Sequence, residues 1–110
     1  MSEKTEGIVR VIDGKRYDTS KGKLVHTYQY LYPGDHSYRV ECLYRTFKGN
    51  YFVYGKGGPA SKWSYTEGNC SFRSSGIAPI NKPEALEWCE SHEAPAHVMD
   101  QYFSDIIQYA

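Results

Sequence analysis

The chain has 110 residues, enough for one domain with its own core and too few for two. Hydrophobic residues make up 40% and charged residues 24%, as in ordinary globular proteins, and no apolar run approaches the ~20 residues that cross a membrane. The formal net charge is zero but unevenly spread: residues 1–80 hold 12 Lys/Arg against 7 Asp/Glu, and residues 81–110 hold one lysine against six acids.

Met1–Gly7 is polar, carries both charge signs and lacks a signal-peptide pattern, so it is expected to be a flexible leader on a protein that stays in the cytoplasm where it is made. Three cysteines, Cys42, Cys70 and Cys89, cannot all pair, and reduced thiols are the expectation.

Ile8–Ile12 is a short apolar run that ends in Asp13-Gly14, a strong hairpin turn, and Lys15–Thr19 should pair back on it. Leu24–Tyr32 alternates, with Leu24, His26, Tyr28, Tyr30 and Tyr32 on one side, until Pro33-Gly34-Asp35 breaks it. Tyr38–Phe47 also alternates, placing Tyr38, Val40, Cys42 and Tyr44 on one face and Arg39, Glu41, Leu43, Arg45 and Phe47 on the other. A two-residue turn at Gly49-Asn50 would set Phe47 against Phe52, Thr46 against Val53 and Arg45 against Tyr54; a longer loop would shift that register. Past Gly55 the periodicity fades, with short strands expected around Lys62–Tyr65 and Cys70–Arg73.

The pattern changes at Pro79. Asn81-Lys82-Pro83-Glu84 opens a helix, with Asn81 as cap and Glu84 three residues on, and Ala85, Trp88, Cys89 and His92 form its apolar stripe. After Pro95, the spacing of Val98, Met99, Tyr102, Phe103, Ile106 and Tyr109 predicts a second helix running to the end. Strands followed by helices predict an α+β fold: an antiparallel β-sheet of about 4–6 strands and two C-terminal helices packed on one face. The single domain then divides into a leader (1–7), a β-rich part (8–80) and a helical part (81–110).

No cofactor or metal is expected. Cys89, His92 and His97 match no common zinc spacing, and Pro95 interrupts them. "GKGGPASK" lacks the Gly-x4-Gly-Lys-Ser/Thr spacing of a phosphate cradle, and Pro59 removes a backbone donor. Cys89 beside His92, or Cys42 across the sheet from His26, could pair a thiol with a base, which leaves a small cysteine-dependent enzyme as one alternative. A second is a single-stranded nucleic-acid-binding accessory protein. Here Arg39, Arg45, Lys48, Lys56 and Lys62 would hold phosphates while Tyr44, Phe47, Tyr51, Phe52, Tyr54 and Trp63 stack on bases.

Three blocks carry a resemblance: "DGKRYDT" (Asp13–Thr19), "LYRTFKGNYFVYGKGGPASKW" (Leu43–Trp63) and "IAPINKPEALEWCESH" (Ile77–His92). In that order, spanning about residues 10–92, they resemble a family of small proteins common in bacterial chromosomes, plasmids and prophages, especially of Gram-positive hosts. The family brings no established activity or catalytic residues. Its mobile-element setting implies an anti-defence protein, such as an anti-CRISPR inhibitor. The leading expectation is a non-enzymatic inhibitor that binds a bacterial defence complex, most directly a CRISPR effector. The contact faces expected for it are a hairpin face of Tyr44, Arg45, Tyr51, Tyr54, Lys56, Lys62 and Trp63 and an acidic helical ridge of Glu84, Glu87 and Glu90.

Overall fold

A computed structural model of the chain describes residues 8–72 and 74–110; the expected leader lies outside them, as does Arg73. The Asp13-Gly14 hairpin forms as expected, with β1 (Val9–Ile12) pairing antiparallel to β2 (Lys15–Asp18). Both turn residues have positive φ, 52° and 77°, which matches the twist of the two strands.

The central sheet has four antiparallel strands in the order β3 (Lys23–Tyr30), β4 (Arg39–Arg45), β5 (Tyr51–Gly57) and β8 (Ser74–Ile80). A bulge between Leu24 and His26 breaks the expected alternation of β3, so buried Val25 joins the side that His26 and Tyr28 face. Between β5 and β8 lies a small separate hairpin, β6 (Tyr65–Glu67) and β7 (Cys70–Phe72). The strand expected around Lys62–Tyr65 therefore starts only at Tyr65. Residues 61–64 form a turn instead, closed by Ser64 N donating to the Ser61 carbonyl at 3.1 Å.

Strand β8 was hidden by its composition, since Ser74-Ser75-Gly76-Ile77-Ala78-Pro79-Ile80 carries loop residues. It lies at the sheet edge, where a proline costs no ladder bond on the open side.

The β4–β5 register corrects the two-residue turn. Arg45 pairs with Tyr51, Tyr44 with Phe52, Leu43 with Val53 and Cys42 with Tyr54. The connection is 46–50: Gly49 N donates to the Thr46 carbonyl at 2.9 Å, and Thr46 N donates to the Asn50 carbonyl at 2.8 Å. Gly49 supplies the positive φ, 89°, that this longer turn needs, and Phe47 is left at its tip, 81% exposed.

Helix α1 (Lys82–Ser91) starts as the sequence predicts. The Asn81 side chain accepts from Glu84 N at 2.8 Å, and the Glu84 carboxylate accepts from Asn81 N at 2.8 Å. Helix α2 (Ala96–Phe103) is shorter than its apolar spacing suggests. The Phe103 carbonyl accepts from both Ile106 N and Ile107 N, Lys82 holds Asp105 at 2.8 Å, and Tyr109 is fully exposed.

The two faces of the sheet carry separate cores. Leu43, Tyr51 and Val53 pack with Ala85, Trp88, Cys89 and Phe103 on the helix side. Tyr44 and Phe52 pack with Tyr17 of the β1–β2 hairpin on the other, with Tyr44 stacked on Phe52 at 5.2 Å. The fold is α+β, an antiparallel sheet followed by two helices.

Candidate functional site

Polar chemistry converges on Glu41 in β4, whose side chain is wholly buried on the helix side of the sheet. Its Oε1 accepts from Trp88 Nε1 at 3.0 Å, and His92 Nε2 lies 2.9 Å from the same oxygen. Its Oε2 accepts from Trp63 Nε1 at 2.8 Å, while Lys62 Nζ stands 3.8 Å away. Arg39 Nε lies 3.4 Å from Oε2, close enough for an ion pair but misaligned for a hydrogen bond. Burial pushes the Glu41 carboxyl up; the Trp63 and Trp88 N–H groups outweigh it, with Lys62 and His92 adding, and the carboxyl is held below its ordinary value.

His92 is fixed on every side. It stacks on Trp88 with ring centroids 4.3 Å apart, meets the Tyr28 ring edge-on, and its Nδ1 lies 2.8 Å from the Trp88 carbonyl. Its own carbonyl accepts from His26 Nε2 at 2.9 Å, which ties β3 to the end of α1.

The glycines of "YGKGGP" serve this arrangement. Gly55 sits opposite Glu41 in the ladder, and a Cβ there would overlap the Trp63 indole. Gly57 leaves room for Ser61, whose hydroxyl donates to the Gly58 carbonyl at 2.8 Å and accepts from Trp63 N at 3.2 Å. Gly58 lets the chain approach the backbone of Asp35 and His36, so these glycines act through close packing.

The sheet divides the residues expected on one hairpin face. Tyr44, Tyr54 and Lys56 project to the β1–β2 side, whereas Arg45, Tyr51 and Trp63 project to the helix side. Tyr44 and Tyr51 are 6% and 2% exposed, so their rings are core. Lys62 and Lys56 remain solvent-facing, and Tyr54 and Lys56 line a cleft of about 660 Å³ together with His36 and Tyr38. On α1, Glu84, Glu87 and Glu90 are all exposed, and among the described residues none forms an ion pair.

Neither thiol–base pairing forms as expected. The ladder sets Thr27 against Cys42 and His26 against Leu43, so Cys42 and His26 lie on opposite faces. Cys89 is fully buried among apolar side chains, its thiol pushed up to about 11 by that burial and by Glu90, while His92 turns to Glu41. Cys42, half-buried beside Thr27, is also raised by burial. Among the described residues, no three His, Cys, Asp or Glu side chains gather to hold a metal ion, and no helix is long and apolar enough to cross a membrane.

Sequence reasoning passed over Glu41, although its alternation with Leu43 was available: a glutamate two residues from a core leucine on one strand shares its face. It also passed over a basic cleft of about 410 Å³ between the β1–β2 hairpin and the 46–50 turn. These features define a small α+β protein in which one buried carboxylate, Glu41, gathers two indole donors and neighbouring cations. Comparison with family models, curated proteins and solved structures finds no match for the chain.

Proposed function

We propose that this is a non-enzymatic protein of a phage or other mobile element, acting in the bacterial cytoplasm by binding and blocking a defence complex, most directly a CRISPR effector. The observation that carries this reading is the acidic side of α1, where Glu84, Glu87 and Glu90 face solvent without a cationic partner among the described residues. Effectors that hold nucleic acid do so in lysine- and arginine-lined channels, and a rigid row of carboxylates is the complementary surface. The saturated Glu41 network supports the same reading, since its donors hold β4, the 61–64 turn and α1 together as a stiff platform. The resemblance to small proteins of bacterial mobile elements supplies the setting.

The test is co-purification from a defence-competent host, together with phage plaque counts with and without the protein. The reading requires recovery of an effector subunit and restored plaques. A Glu87→Lys/Glu90→Lys variant, which leaves the Glu84 cap intact, should fold normally and lose both. Absence of any effector subunit, with plaque counts unchanged by expression, refutes it.

A further inference from the structure

We infer that the cleft between the β1–β2 hairpin and the 46–50 turn is a docking site for single-stranded nucleic acid, separate from the acidic ridge. Four cations, Lys15, Arg16, Lys21 and Lys48, line this cleft of about 410 Å³. All four are exposed, and no carboxylate among the described residues lies within ion-pair distance of them. The one acid in the lining, Asp18, accepts from the Ser20 hydroxyl at 2.7 Å and from Ser20 N at 3.0 Å, and it offsets part of the charge of Arg16 and Lys21. With four cations against one carboxylate, the cleft presents a net positive charge to a ligand.

Phe47 makes the ligand a nucleic acid rather than an acidic peptide. It lines the same cleft at the tip of a turn and is 81% exposed, a large ring with no packing role in either core. A flat aromatic face beside several cations is what an unpaired base and its neighbouring phosphates require. Duplex bases are already stacked and would leave the ring without a partner. The volume lies within the roughly 300–1,000 Å³ of small-ligand sites, room for a nucleotide unit rather than a helix. The site lies on the side of the sheet opposite the helices, because the β1–β2 hairpin packs on Tyr44 and Phe52.

Fluorescence anisotropy of the purified protein with a labelled oligo(dT), its RNA counterpart and a duplex of equal length tests the inference without any defence complex. Failure here is therefore distinct from failure of the proposed function. Binding of either single strand, with the duplex clearly weaker, is expected. With four phosphates neutralised, the log–log salt slope should be about −3, a loss of roughly fifty-fold between 50 and 200 mM salt. Lys15→Glu/Lys48→Glu should weaken binding by more than tenfold and flatten the slope. Phe47→Ala should weaken it about tenfold at unchanged slope, the signature of lost stacking. Thermal melts confirm that these surface variants fold. Absence of binding at 50 mM salt, equal affinity for the duplex, or indifference to all three substitutions overturns the inference. So does displacement by oligoglutamate combined with no effect of Phe47→Ala, which would assign the cleft to an acidic protein.

Discussion

A carboxylate removed from water must recover its solvation from its surroundings, and Glu41 does so from two indole donors, with the His92 ring and two cations close by. Glu41→Gln keeps the shape but sets an amide NH2 against two indole donors and nearby cations, so unfolding free energy in urea should fall by about 2–4 kcal/mol. The pH dependence follows from the direction of the Glu41 shift. Its folded-state carboxyl titrates below the ordinary value of 4.5, so its contribution is complete above that value and disappears as pH falls through the lower folded one. The stability difference between the wild type and Glu41→Gln should therefore shrink as pH falls below about 4.5. Gly55→Ala should cost about 2–4 kcal/mol, because the new methyl displaces the Trp63 indole from its carboxylate. At Gly76 a Cβ meets the same ring at an ordinary 3.5 Å, so Gly76→Ala should stay within about 1 kcal/mol of wild type and serves as the control.

At the scale of elements, the α1–α2 junction carries strain that can be relieved. Glu93 sits at φ 60° just past the C-cap, while Ala94 N closes onto the Cys89 carbonyl at 3.0 Å, an arrangement that favours glycine. Glu93→Gly should raise stability by about 0.5–1 kcal/mol, visible as a melting temperature a few degrees higher. The sequence made the strongest local signals legible: Asp13-Gly14 as a turn, Asn81 through Glu84 as a capping box, and Ala85, Trp88 and Cys89 as a buried stripe. These depend on neighbours within a few residues. What it left obscure depends on distant partners. β8 is a strand because β5 offers an edge to Ser- and Pro-containing backbone, and β3 changes face because of a bulge. The site followed the same rule. The exposure of Glu84, Glu87 and Glu90 could be read from helical spacing, whereas the burial of Tyr44 and Tyr51 depends on the hairpin and helices packed over them.

At the scale of the whole molecule, the sheet is a partition. The acidic ridge lies with the helices and the basic cleft lies with the β1–β2 hairpin, and the linear charge imbalance between residues 1–80 and 81–110 becomes a spatial one. Exposed charges separated by more than a Debye length, about 8 Å at physiological salt, are screened from each other. Glu87→Lys/Glu90→Lys should therefore leave oligonucleotide affinity within about twofold at that salt, and Lys15→Glu/Lys48→Glu should leave effector capture intact. Loss of both activities in either variant would show that the two faces act as one.

The chain contains two tryptophans, and both indoles donate to the same carboxylate. Its intrinsic ultraviolet emission is thus a built-in optical probe of one locus. Trp63→Phe silences the signal from the turn and leaves Trp88 to report from the helix. A time-resolved refolding trace of each single-tryptophan variant would reveal whether turn and helix reach Glu41 together or in sequence.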